Sequence, residues 1–159
     1  MILANLMVGF SAMLGCLVLQ AAVAFWSVRY YVRQSSGVAA SHKFIASVWP
    51  LIVAMLAMLA ANVIQITLWG LLFLLLGEFN ELYEAIYHSA VNFSSLGYGD
   101  VVMSKNRKLL GPLEATNGVI MLGMTSAVLV VILQQLIRAQ RDQIIASARR
   151  GDDRFGASR

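Results

Sequence analysis

The stretch of this sequence best suited to chemistry is S-S-L-G-Y-G-D at residues 94–100, which lies between two long apolar runs. Backbone carbonyl oxygens can replace the water shell of a cation when successive carbonyls point to one axis. That arrangement needs dihedrals that alternate between the left- and right-handed regions, and glycine adopts the left-handed region without penalty. Gly97 and Gly99 hold alternate positions. The pattern therefore predicts a carbonyl-lined cation site.

Other residues of this stretch suit the same site. Ser95 offers a hydroxyl oxygen at the inner mouth, and Tyr98 is placed to brace the strand from behind while lending its carbonyl. Asp100 ends the stretch at its outer surface. The candidate coordinating residues are Ser95, Leu96, Gly97, Tyr98 and Gly99.

The elements that position this stretch are membrane helices. The chain of 159 residues is 59% hydrophobic and 13% charged, and no charged residue occurs in residues 1–28, 44–77 or 115–137. Each run exceeds the roughly 20 apolar residues that cross a bilayer core, which indicates an integral membrane protein with three spanning helices. The second run is too long for one crossing, and Pro50 suits a first helical turn. We therefore predict an interfacial segment before Pro50 and an outer helix over residues 50–77.

A shorter helix is predicted directly before the glycine-containing stretch. Apolar positions in residues 80–94 follow the helical period, Asn80 is suited to be the N-cap, and Glu81 and Glu84 favour the first turn. This helix is too short to span. The non-helical backbone that follows it at membrane depth is tolerated only if it is buried in protein or lines an aqueous path.

The basic residues predict the orientation. Nine of the twelve Lys and Arg lie in residues 29–43 or after residue 137, whereas residues 78–114 hold three, with five acids that include Glu114. The positive-inside rule places the N-terminus outside and the C-terminus in the cytoplasm of a multi-pass cell-membrane protein. No basic residue precedes the first run, so we expect a transmembrane helix over residues 1–28 rather than a cleaved signal peptide. The basic tail over residues 142–159 suits contact with anionic lipid, and the positive charge of the chain needs no nucleic-acid partner to explain it. The composition of the tail predicts disorder from residue 149.

Residues 95–100 resemble the T-V-G-Y-G-D selectivity filter of potassium channels, and the order of helices over residues 50–141 resembles their pore domain. The resemblance implies an all-α membrane protein with three transmembrane helices, a re-entrant pore helix and a filter loop. It also implies a homotetramer that conducts K+ passively, because each chain supplies one of four filter strands, with no enzymatic activity and no cofactor besides K+. The K+ ions would be held at Ser95, Leu96, Gly97 and Tyr98.

Several residues depart from the family pattern. Ser95 replaces threonine and Leu96 replaces valine, with the leucine side chain expected to point away from the axis. Val91 stands where some family members have a glutamate that braces the final aspartate. His88 either hydrogen bonds to Asp100 or Tyr98 as a filter support or lies in water at the outer rim. These departures leave a weakly selective cation channel, or a non-conducting membrane subunit, as alternatives.

The last helix, predicted over residues 112–138, resembles the family's inner helix. Gly123 is either its hinge or a packing residue. The resemblance and the helical period together place a pore-lining stripe at Met124, Ala127, Val131 and Gln135. Gln135 either forms a ring that favours closure or marks the polar end of the helix.

The remaining polar residues within the spans suit contacts between helices. Gln20, Asn62 and Gln65 are candidates for interhelical hydrogen bonds. The lone Cys16 suits a small buried side chain. No span shows the periodic Arg or Lys of a voltage sensor.

Overall fold

The computed structural model describes residues 2–38 and 44–156 and is all-helical across them. Its helices are α1 (Ile2–Val38), α2 (Phe44–Leu75), α3 (Leu82–Phe93) and α4 (Leu110–Gly156). Three segments are long and apolar enough to cross a membrane, namely Ile2–Gln34, Val48–Leu75 and Leu110–Asp142. The structure confirms the predicted all-α class, with three long apolar helices and one short helix between the second and third of them.

Both long N-terminal helices extend beyond their predicted bounds. Helix α1 continues past residue 28 to Val38, and α2 begins at Phe44 and contains Pro50. Once a helix is nucleated, each further residue adds a hydrogen bond, so a helix can continue past the end of its apolar run. Proline removes one such bond close to the start of α2, and it does not end that helix. Lys43, which belongs to the predicted basic side, lies outside the described residues.

The bounds of α3 and α4 also correct the sequence prediction. Helix α3 begins at Leu82 with Glu81 as its N-cap, so Asn80 is not the cap. Glu81 has the extended backbone that an N-cap needs, with φ −114° and ψ 135°. Helix α4 does not end near residue 138 but continues to Gly156, so the disorder expected from residue 149 was wrong up to that point. Residues 157–159 lie outside the described part of the chain.

The core of the helix bundle has three layers. Near the filter, the side chains of Cys16, Trp69, Phe73, Phe79 and Leu110 form an apolar cluster with Ala85. At the opposite end, Tyr31, Ala54 and Ile132 form a second cluster. The buried position of Cys16 agrees with the expected packing role.

A polar layer separates the two apolar clusters. Gln65 donates to Gln20 at 2.7 Å, and Gln20 donates to the Thr125 hydroxyl at 2.8 Å. Asn62 donates to the same hydroxyl at 3.2 Å. The predicted interhelical hydrogen bonds are therefore confirmed, and Thr125 of α4 is the residue on which they converge. This layer ties α1 and α2 to α4 two residues after Gly123.

The segment between the filter and α4 is anchored to the turn between α2 and α3. The carboxylate of Glu78 accepts hydrogen bonds from the backbone amide and the hydroxyl of Ser104, at 2.7 and 2.9 Å. Arg107 lies 3.6 Å from the same carboxylate and donates to the Leu76 carbonyl at 2.7 Å. Asn5 of α1 donates to the Asn106 carbonyl. These contacts fix both ends of the region that carries the short helix and the filter.

Candidate functional site

The backbone of the predicted filter alternates as a carbonyl-lined site requires. Ser95, Gly97 and Gly99 have φ of 59°, 59° and 74°, whereas the intervening Leu96 and Tyr98 do not enter the positive region. Ser95 is the only non-glycine residue with positive φ in the described part of the chain. The alternation therefore begins at Ser95, two residues before the first of the two glycines. For serine the left-handed region carries a cost.

Hydrogen bonds turn the first filter amides toward the C-terminal end of α3. The amide of Leu96 donates to the Val91 carbonyl at 3.0 Å, and the amide of Gly97 reaches the same oxygen at 3.5 Å. In a trans peptide unit the N–H and the preceding C=O point in opposite directions. The carbonyls of Ser95 and Leu96 consequently point away from α3. All five coordinating candidates are exposed in the single chain.

The outer end of the filter is held by a tyrosine that the sequence did not single out. The Tyr87 hydroxyl donates to Asp100 Oδ2 at 2.7 Å, and Asp100 Oδ1 accepts from the Val101 amide at 3.0 Å. The hydrogen bond from Tyr87 lowers the pKa of the Asp100 carboxyl. Tyr87 thus supplies the bond to Asp100 that one of the two alternatives assigned to His88. Tyr98 is exposed, so its expected bracing contact is not made within one chain.

His88 supports the filter through a different partner. Its side chain is buried, which excludes the rim histidine in water, and Nδ1 lies 2.9 Å from the Val101 carbonyl oxygen. Because a carbonyl only accepts, the proton is on Nδ1 and Nε2 is free to accept from Asn92 at 2.9 Å. Burial lowers the pKa of His88, against the opposing effects of the Val101 carbonyl and Asp100. The imidazole is therefore neutral and links Asn92 to Val101, which directly follows residues 95–100.

Behind the short helix lies a carboxyl group that the sequence analysis assigned to the outer connection. Glu114 is fully buried in α4, where it contacts Ser89 at 2.5 Å and Asn92 at 3.3 Å on α3. The only sequence signal for this contact was an acid four residues beyond the start of an apolar helix. Its partners lie more than 20 residues away, so local periodicity could not identify them.

Two glycines of α4 have different surroundings. A Cβ added at Gly118 would lie 1.9 Å from the Phe93 carbonyl oxygen, so α4 meets the end of α3 at this residue. A Cβ at Gly123 would meet no heavy atom within 4 Å. Within one chain, Gly118 is therefore the packing glycine and Gly123 has no packing role. No motif or spacing in the sequence singled out Gly118.

The predicted pore-lining stripe lies on a face of α4 that the chain itself covers only in part. Gly123, Ala127 and Val131 are exposed, and Met124 and Gln135 are half-buried. None of the five is buried against α1, α2 or α3. This placement leaves the stripe available to line a cavity between chains.

Comparison with known protein families decides the class of protein. A family model described as ion channel matches residues 63–135, from within α2 through the filter stretch to within α4. This segment is an ion-channel pore domain. The match confirms the expected resemblance to the potassium-channel pore family and supports an ion channel, and the three long apolar helices support a membrane protein. Comparison with curated proteins and with solved structures gave no significant match. By this resemblance, α2 corresponds to the outer helix, α3 to the pore helix and α4 to the inner helix, and these names are used below.

Proposed function

We propose that the protein is a homotetrameric channel that conducts K+ passively through a carbonyl-lined filter at residues 95–99. The observation that supports this most directly is the backbone of the filter itself. Positive φ occurs at every second residue, and the amides of Leu96 and Gly97 are turned toward the pore helix. A strand of this kind presents its carbonyl oxygens on one side, as replacement of a hydration shell requires.

The proposed fourfold assembly follows from the number of strands. One chain supplies one filter strand, and a ring of carbonyls around an ion needs several. The filter residues are exposed in the single chain, as are Ala127 and Val131 of the predicted stripe on the inner helix, and no stripe residue is fully buried. Four chains around a common axis would place both on that axis, with α1 and α2 toward lipid.

The proposed orientation has the N-terminus and the filter outside and the C-terminus in the cytoplasm. It is supported by the partition of Lys and Arg, nine against three. The basic end of α4 then faces the anionic inner leaflet. A reporter fused after residue 159 should be active only on the cytoplasmic side.

Bi-ionic flux into liposomes containing the purified protein tests the function. We expect K+ to pass well ahead of Na+ and Ba2+ to block. Gly97→Ala and Gly99→Ala should abolish selective flux, because alanine is strained at φ of 59° and 74° although both sites have open space around them. Gly15→Ala is the matched control, since that glycine also has open space but lacks positive φ.

Each alternative function predicts a different result in this assay. Equal K+ and Na+ flux through the parent protein would establish a weakly selective cation channel. No flux above empty liposomes in several lipid compositions would indicate a non-conducting subunit. Native mass spectrometry of the detergent-solubilised protein tests the tetramer independently of flux.

A further inference from the structure

The buried carboxyl of Glu114 lies where three helices of one chain meet, directly behind the pore helix. Its side chain has no exposed surface, and its two oxygens contact Ser89 and Asn92 of α3. Ser89 also contacts the Ile66 carbonyl of α2 at 2.7 Å. A polar group at such a junction is stable only if every donor and acceptor is matched.

Two acceptors compete for the single proton of the Ser89 hydroxyl. The hydroxyl oxygen lies within hydrogen-bond distance of both the Ile66 carbonyl oxygen and Glu114 Oε1. A serine hydroxyl carries one proton, and a backbone carbonyl has none to give. If the hydroxyl donates to Ile66, the proton in the second contact has to belong to the carboxyl group of Glu114. A carboxylate would leave one of these two contacts without a proton.

The other carboxyl oxygen is a plain acceptor. Asn92 has two amide protons on Nδ2, and that nitrogen lies 3.3 Å from Glu114 Oε2 and 2.9 Å from His88 Nε2. His88 in turn donates from Nδ1 to the Val101 carbonyl. Every group from Glu114 to Val101 is therefore matched when Glu114 is a neutral acid with its proton on Oε1.

The charges nearby agree with a neutral acid. The only ion pair among the described residues joins Arg107 to Glu78, so no cation pairs with Glu114 in this part of the chain. An ionised carboxylate buried without a counter-ion is strongly disfavoured. The titratable groups beside the network are Asp100, which lies near His88, and the Cys16 thiol of α1, which lies near Glu114. The rings of Phe73 and Phe79 pack on His88 and carry no charge. None of these groups is a cation.

We propose that Glu114, as a neutral carboxylic acid, is the positioning residue that holds the pore helix and thereby the filter in register against the inner helix. Asn92 transmits the effect, because its side chain contacts Glu114 while its backbone carbonyl accepts from the Ser95 amide at 2.8 Å. Through His88 the same network reaches Val101, directly after the filter. The acid that supports the filter thus comes from the inner helix. Val91 occupies the pore-helix position at which some family members have a bracing glutamate. This inference rests on the proposed conduction through the filter.

Selectivity in bi-ionic recordings tests the positioning role. Glu114→Leu has similar size without polar atoms, and we expect its K+ to Na+ permeability ratio to fall roughly tenfold, the scale of one buried hydrogen bond. Glu114→Gln can donate to Ser89 and accept from Asn92, so it should stay within about twofold of the parent. Glu84→Leu, on the exposed side of the pore helix, is the matched control for loss of an acid.

Infrared difference spectra test the protonation state without any flux. The parent minus Glu114→Gln spectrum at neutral pH should show the carbonyl stretch of a protonated carboxylic acid. Because Glu114→Gln keeps both hydrogen bonds, this comparison remains available if Glu114→Leu does not assemble. Ser89→Ala should shift that band, since the acid loses the oxygen to which it donates.

Each outcome decides the proposal. A carboxylate band in place of the acid band overturns the neutral state. Parental selectivity in Glu114→Leu, or an equal loss in Glu114→Gln, overturns the positioning role. A parent protein without flux would refute the proposed function, whereas the infrared band would still report on Glu114.

Discussion

Substitution of Gly118 by alanine should disturb the filter although residue 118 does not touch it. The added Cβ would lie 1.9 Å from the carbonyl oxygen of Phe93 and 2.7 Å from its carbonyl carbon. Both are backbone atoms, so no side-chain rotation relieves the contact. Phe93 is the last residue of the pore helix, two residues before Ser95. The strain is therefore applied at the base of the filter.

The size of the displacement follows from the contact distance. Real Cβ contacts are not shorter than 3.0 Å, so α4 and the end of α3 must separate by at least about 1.1 Å. Overpacking of this kind typically costs about 1–3 kcal/mol. That cost corresponds to a roughly 5- to 150-fold change in an equilibrium constant. We expect a shift of this size at the base of the filter to change its ion preference.

Thermal unfolding and bi-ionic recording of Gly118→Ala measure these two effects. We expect a lower melting temperature and a smaller K+ to Na+ permeability ratio. Gly123→Ala is the matched control in the same helix, because its Cβ meets nothing within 4 Å. Alanine is favoured over glycine in a helix by about 1 kcal/mol, so this control should be at least as stable as the parent. Parental stability and selectivity in Gly118→Ala would refute the reasoning.

Three further changes address the filter supports and the lower pore. Stability should fall as the pH drops from 6.5 through the pKa of His88 in the folded protein, which is lower than that of a free histidine. The reason is that protonation of Nε2 removes the acceptor for the side-chain amide of Asn92. Melting temperatures measured against pH, with the other histidine replaced, test this. Tyr87→Phe should raise the pKa of Asp100 and move the acid midpoint of conduction to higher pH, measured by flux against pH. Gln135→Ala should raise the single-channel open probability if four glutamines latch the pore, whereas Gln134→Ala should not.

These three predictions have distinct contrary results. A melting temperature that is independent of pH in both the parent and His88→Gln would show that protonation of His88 does not change stability. An unchanged acid midpoint in Tyr87→Phe would show that the Tyr87 hydroxyl does not set the ionisation of Asp100. Equal open probability in both glutamine variants and the parent would leave Gln135 as the polar end of a spanning helix.

Local signals were sufficient to predict positive φ at Gly97 and Gly99 and the existence of the helices. Glycine at alternate positions predicts alternating φ because the steric reason acts within each residue. Ser95 shows the limit of that argument, since its positive φ is imposed by the bonds to the pore helix rather than by its own preference. Helix bounds were less predictable, because Pro50 and the polar end of α4 break the apolar pattern without ending a helix.

The sequence by itself determined that the chain is a membrane protein, because the thickness of the hydrocarbon core fixes how many apolar residues a span needs. It also predicted where the filter lies. Only the tertiary structure decided what supports that filter. Tyr87 donates a hydrogen bond to Asp100, and His88 hydrogen bonds to the Val101 carbonyl. Glu114 lies buried behind the pore helix. These contacts depend on how helices pack across long separations in the chain. Residue type and period cannot specify such contacts.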